Sequence, residues 1–339
     1  MSAGRGRVRL SWNSAKLNQF ETAEPDSLDR GDRADARVRA DGARLTARER
    51  GWLLLVYWAA ACALAALGLR GFYSFGRFFG TFEWLINFKR RRRFARALHG
   101  ALGRSPTSIE RRHWGREYFM QNRCDRLFYL VFDRIPRERA LELFTIGNPT
   151  LLDAALAQGR GVYVALSHHG PHHVAGMLMA IRGYRVAGVR DRREGRMRRF
   201  VQARFDALYP EFRRTRVLFA DGYPRDIYRC FQEGYAVGSA MDIGRIRDAR
   251  QKTEPVNIFG EQRRFVSGPL RIALRCKAPV LQGFIIPRPG FHYHLELMSL
   301  VPDAGQIGDE ERTVRAVLQQ YATNVERHIR ERPSLMTRV

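Results

Sequence analysis

GVYVALSHHGPHHVAG, residues 161–176, is the stretch on which the fold turns. Val162-Tyr163-Val164-Ala165-Leu166 is a short apolar run rich in β-formers, entered from the turn-like Gln158-Gly159-Arg160-Gly161. A run of that length and composition reads as a buried strand. It ends at Ser167, and His168, His169, His172 and His173 follow within six residues. Pro171 suits the first turn of a helix, where a missing N–H costs nothing. Val174, Ala175, Met177, Leu178 and Ile181 then continue at helical spacing. The histidines are thus expected in a strand-to-helix turn, beside the free N–H groups of a helix N-terminus.

Three readings compete for this turn: a surface loop that happens to be histidine-rich, a metal site, and general-base catalysis by one histidine oriented by a neighbour. For metal, no Cys, Asp or Glu lies between Arg160 and Arg190 to complete a ligand set, and the chain has no HExxH helix or CxxC pair. The sequence therefore predicts no metal and no cofactor, and the rest of the chain favours the general base.

Outward from the turn, strands and helices alternate. Strands are expected at Arg185–Val189, Val217–Phe219, Tyr235–Met241 (ending on Asp242), Val256–Gly260, Pro279–Ile286 and Tyr293–Met298. Helices are expected at Ile109–Phe132, Leu151–Ala157, Phe200–Leu208, Pro224–Gln232, Ser267–Cys276 and Glu310–Arg330, with a charged loop over Gly244–Lys252. This order predicts an α/β fold with a mostly parallel central sheet flanked by helices. Neither GxGxxG nor GxxxxGK[ST] occurs, so dinucleotide and P-loop readings have no support.

The chain has 339 residues, enough for one large domain with an N-terminal appendage. It carries 59 Lys and Arg against 34 Asp and Glu, a net charge of +25 held almost wholly by arginine. Such a balance calls for an anionic partner. No nucleic-acid-binding motif accompanies it, and the basic residues are spread along the chain, so nucleic acid is not expected. Cys62, Cys124, Cys230 and Cys276 are isolated, which suits a reducing compartment.

Residues 1–50 mix Arg with Asp and Glu, lack apolar periodicity, and read as a disordered polar tail. Trp52–Leu69 is an eighteen-residue stretch without a charge, just long enough to cross a bilayer core of roughly 30 Å. Aromatic residues from Phe72 to Trp84 follow, interleaved with Arg70 and Arg77, and Lys89-Arg90-Arg91-Arg92-Arg93 closes the segment. That pattern suits a helix inserted in, or lying on, an anionic leaflet. The expected partition is a tail over 1–50, a membrane-associated segment over 51–93 and a catalytic domain over 94–339.

The chain resembles the bacterial lipid A (late, Kdo-dependent) acyltransferase family, within the wider glycerolipid and lysophospholipid acyltransferase superfamily. The likeness runs from about Gly71 to Arg332. It rests on FYSFGRFFG, on LSHHGPHHVAG where the family shows a strand followed by His-x-Gly-Asn-Trp-Glu, and on AMD ending at Asp242. VNIFG at 256–260 and VSGPLRIALRCKAPVLQGFII at 266–286 complete it. The resemblance implies transfer of an acyl chain from acyl carrier protein or acyl-CoA to a hydroxyl or amine of a lipid acceptor. It also implies location at a bacterial inner membrane, with the catalytic domain facing the cytoplasm.

By that resemblance His168 is the general base. Its acidic partner, five positions on in the family, falls on His173, which could accept a hydrogen bond but brings no negative charge. Three outcomes follow: another carboxylate reaches His168, with Asp242 and Glu261 as candidates, or His173 suffices, or the protein is a catalytically silent lipid- or partner-binding relative. Asp242, Arg190, Gly170 and Gly268 are the candidates for contact with substrate, Arg190 as the start of the cationic run Arg190–Arg199. His169 is expected to point elsewhere.

Overall fold

The computed structural model describes residues 46–190, 197–198, 200–201, 204–205, 210–219, 224–242, 251–300 and 309–336. Residues 1–45 of the expected tail, most of the Arg190–Arg199 run, part of the expected Phe200–Leu208 helix and most of the Gly244–Lys252 loop lie outside them. The last residues of the expected tail, from Ala47, are helical instead, because Thr46 and Glu49 form a capping box that starts the first helix there.

The histidine strand is β2 (Val162–Leu166), and it lies near the middle of a seven-stranded sheet. Around it are β1 (Phe144–Ile146), β3 (Val186–Arg190), β4 (Arg216–Phe219), β5 (Ala236–Ala240), β8 (Val280–Arg288) and β9 (His292–Ser299). The order is β1-β9-β8-β2-β5-β3-β4. Every neighbouring pair is parallel except β8 with β9, which run antiparallel. A second, two-stranded antiparallel sheet pairs β6 (Thr253–Ile258) with β7 (Glu261–Val266).

Strand alternation sorts β2 between two apolar layers. Val162 and Val164 face a core shared with α1 (Ala47–Ile86), α3 (Ser108–Val131) and α6 (His172–Ile181), whereas Tyr163 and Ala165 face the opposite core. That second core is built with α2 (Phe88–Leu102), α7 (Pro224–Gln232), α8 (Gly268–Arg275) and α9 (Glu310–Glu331). α4 (Arg137–Glu142) and α5 (Pro149–Ala157) flank β1 in the chain. Burial on both faces is what a parallel strand requires, and it explains the unbroken apolar run. Leu166 fits between Gly238 and Gly283 on the flanking strands, where a Cβ on either glycine would lie 3.3 and 3.2 Å from its methyl groups.

Several polar groups inside this core are paired. The Tyr163 hydroxyl and Ser239 Oγ are 2.5 Å apart, and fully buried Gln282 donates to the Tyr321 carbonyl while accepting from Asn324. Tyr321 in turn donates to the Leu166 carbonyl at 2.8 Å, which fastens α9 across the end of the histidine strand. Buried polar groups left without such partners would each cost on the order of 1–3 kcal/mol.

Two elements depart from the sequence reading. The strand expected at 256–260 is one arm of the β6–β7 hairpin, turned at Phe259 and Gly260 with φ of 53° and 75°. Two successive residues in the left-handed region make the tight turn that matches strand twist. The Phe259 N–H, freed by the turn, donates to Glu326. Strand β1 was not expected, because three residues are too few to show a period.

Candidate active site

Strands β2 and β5 run parallel with Leu166 opposite Ala240. Two residues beyond each lies a polar side chain, His168 and Asp242. Equal overhang from paired strand ends brings the two together at the carboxyl edge of the sheet, where open α/β folds place their ligands.

The contact is close and redundant. His168 Nδ1 lies 2.9 Å from Asp242 Oδ1, and the His168 backbone N–H points at both carboxylate oxygens, at 3.0 and 2.9 Å. Both side chains are nearly enclosed, 13% and 9% exposed. Burial pushes the Asp242 carboxyl up. The His168 hydrogen bond, the charges that His168 and His169 can carry, and the backbone N–H outweigh it and hold the group below the usual carboxylate range. An ionised carboxylate can only accept, so in the neutral ring of His168 the proton sits on Nδ1 and Nε2 presents a lone pair.

Of the two carboxylates proposed to reach His168, Asp242 does so. Glu261 lies on β7, largely exposed and paired with Arg263 at 2.9 Å. The carboxylate that reaches His168 thus comes from position 242 and not from position 173. His173 stands in the first turn of α6, its ring edge-on to Tyr129 at 4.9 Å and to His172 at 5.7 Å. The His172 ring packs edge-on against His168 itself, centroids 5.0 Å apart.

His169 does not point away from this group. Its Nε2 lies 3.7 Å from Asp242 Oδ2, and its backbone N–H donates to Ser167 Oγ at 3.1 Å. Burial, with His168 alongside, pushes the ring down to about 4 against the opposing pull of Asp242. His328 on α9 stacks on Phe284 at 4.1 Å and is pushed down to about 3 by burial, Arg332, His169 and Arg327. Nothing in the sequence signalled His328, which lies on an amphipathic helix far along the chain.

The remaining candidates have other surroundings. Gly170 has φ +70°, and a Cβ there would lie 2.4 Å from the Ile285 carbonyl oxygen, while its N–H donates to Leu335. Close backbone approach demands glycine at that position. Gly268 opens α8 in uncrowded space. Arg190 ends β3, and its side chain lies outside the described residues. Among the described residues, no group of three or more His, Cys, Asp or Glu is arranged to hold a metal ion.

The two depressed histidines make stability depend on pH. Unfolded, each titrates near 6.5; folded, they resist protons down to about 4 and about 3. Between pH 6.5 and 4 the unfolded chain binds more protons, so acidification destabilises the fold, by at most about 1.4 kcal/mol per pH unit per group. The urea midpoint is expected to fall from pH 7 to pH 5, and less steeply in His328→Phe, which keeps the stack on Phe284. Equal slopes in the two proteins would exclude His328 as a source.

A family model described as bacterial lipid A biosynthesis acyltransferase matches residues 43–334. No curated protein sequence matches the chain.

Proposed function

Since the chain belongs to the bacterial lipid A biosynthesis acyltransferase family, we propose that it transfers a fatty acyl group from a thioester to a hydroxyl or amine of a lipid acceptor, with His168 as general base and Asp242 as its orienting acid. The observation that carries this reading is the 2.9 Å contact between His168 Nδ1 and Asp242 at the carboxyl edge of the sheet.

The chemistry follows from that geometry. Nε2 of His168 takes the proton of the acceptor hydroxyl as its oxygen attacks the thioester carbonyl, forming a C–O bond and a tetrahedral oxyanion. The oxyanion collapses, the C–S bond breaks, and the departing thiolate takes the proton back from Nε2. Asp242 holds the ring in the productive tautomer and offsets the positive charge that develops on it. α6 begins at His172, whose ring packs 5.0 Å from that of His168, so the positive end of a helix dipole lies beside the proposed base and favours the developing oxyanion. The Asp242 contact supports catalysis over the alternative of a catalytically silent lipid- or partner-binding relative.

The donor is acyl carrier protein or acyl-CoA, and both are acidic, as the net charge of +25 favours. The lipid A precursor class is the first acceptor to try and lysolipid the second. Acyl thioesters are cytosolic, which puts the catalytic domain on the cytoplasmic face of the inner membrane. Exposed electrostatic attraction weakens as the Debye length shortens to about 8 Å at 0.15 M salt. The KM for acyl carrier protein is accordingly expected to rise several-fold between low and physiological salt, and a flat KM would reject electrostatic docking.

The function itself is tested by incubating the full chain with labelled acyl carrier protein or acyl-CoA and membrane lipid containing each acceptor. Label recovered in lipid A precursor or lysolipid, above that with no protein, is the expected result. No transfer from either donor to either acceptor would reject the reading.

A further inference from the structure

Helix α1 has the length and composition of a membrane span, but its packing is that of a helix laid on the catalytic domain. Gly68, at φ 65° and ψ 176°, breaks it into Ala47–Leu67 and Leu69–Ile86. Leu53, Tyr57 and Ala60 on the first part, and Phe72, Gly76 and Gly80 on the second, are buried at three- and four-residue spacing. The approach to α3 is at backbone distance. A Cβ on Gly80 would lie 2.4 Å from Met120 Cα, and one on Gly76 would lie 3.0 Å from Cys124 Sγ.

Tyr57 fixes the first part most firmly. Its hydroxyl donates to Asp133 at 2.6 Å and accepts from Arg134 at 2.5 Å and Arg204 at 2.8 Å. Arg204 also donates to Asp133 at 2.9 and 3.1 Å, and the Asp133 side chain is 2% exposed. Arg134 lies over the Trp58 ring at 4.7 Å. Tyr57 is the midpoint of Ala47–Leu67. Were that segment to span a bilayer, three charged side chains would be carried to the bilayer centre, where charge is most expensive.

The outward face remains strongly apolar. Nine of the ten large apolar side chains that stand exposed among the described residues lie between Trp52 and Phe88, including Leu55, Phe78, Phe82 and Ile86. Immediately beyond them Lys89, Arg92 and Arg93 are exposed on α2, while Arg91 stacks over Trp84 at 4.4 Å. An apolar stripe continued by a cationic rim matches a leaflet with anionic headgroups.

We propose that α1 and the start of α2 form a monotopic docking surface for one anionic leaflet: α1 lies in the interface with its inner face on the domain and its outer face in lipid, and the chain does not cross. Residues before and after α1 are then on the same side of the membrane. The proposal does not depend on the catalytic assignment, because its readouts are binding and topology.

Two measurements on the full-length chain test it. In sealed membrane vesicles, Ala47→Cys and Arg112→Cys, in a background with Cys62 replaced by Ser, are expected to react with a membrane-impermeant maleimide from the same face. Labelling from opposite faces would establish a span and overturn the proposal. In flotation with phosphatidylglycerol vesicles, neutralising Lys89, Arg92 and Arg93 to Gln is expected to weaken binding roughly a hundredfold, since each basic side chain near an anionic leaflet contributes about fivefold. Phe78→Asp with Phe82→Asp, both at exposed positions, should abolish flotation while the thermal midpoint stays near that of the wild type. Equal binding to phosphatidylcholine vesicles, or self-association through the stripe with no vesicle binding, would contradict an anionic leaflet as the occupant.

Discussion

His168→Ala is expected to lower the turnover of acyl transfer by roughly 10⁴-fold, about what a well-placed general base contributes. The fold should survive the change. His168 stands in a turn and contributes little core packing, and its backbone N–H still donates to both oxygens of Asp242. The carboxylate therefore keeps main-chain partners, and the thermal midpoint is expected to stay within a few degrees of wild type. Label transfer from an acyl thioester, measured beside thermal unfolding, checks both halves. Wild-type turnover in His168→Ala would remove His168 from the mechanism.

Asp242→Asn is expected to be nearly as damaging in turnover, on the order of 10⁴-fold, with acceptor KM changed far less. An amide can present its NH₂ to Nδ1, which stabilises the tautomer whose proton sits on Nε2, where the base needs a lone pair. The amide oxygen can still accept the His168 backbone N–H, so geometry is retained while the charge is lost. The pH behaviour follows from the lowered carboxyl of the folded protein. Asp242 contributes stability above its unfolded value near 3.9 and loses it as pH falls through the lower folded value. Asp242→Asn should therefore cost more stability at pH 7 than near pH 3. Between pH 5 and 9 the carboxylate stays ionised, so an acid limb in the rate profile there belongs to another group.

The sheet was legible because a parallel strand buried on both faces writes itself as an apolar run. The apolar run Val162–Leu166 coincides with β2 residue for residue, and Pro224–Gln232 with α7. The β6–β7 hairpin was only half legible: Glu261–Val266 is mostly exposed and charged, and its turn uses Phe259 where glycine or asparagine would have signalled it. The proposed base, His168, is legible as a residue type at a strand-to-helix turn, whereas its partner is legible only as one of two candidates, Asp242 and Glu261. A partner five residues away is visible in a sequence, whereas one 74 residues away depends on strand register. The clue that existed was Asp242 at the end of its own strand, and it became decisive only once Leu166 was known to pair with Ala240. Helix α1 shows the converse limit, since hydropathy records that a helix is apolar on every face without telling lipid from protein.

Whether the acid of this site is Asp242 or the residue at the family position is decided by one comparison. Asp242→Asn and His173→Ala would be assayed side by side for turnover with a labelled acyl thioester near neutral pH, where Asp242 is ionised. The account predicts that Asp242→Asn loses roughly 10³–10⁴-fold while His173→Ala stays within about tenfold of wild type. A severe loss in His173→Ala with near-normal turnover in Asp242→Asn would contradict it.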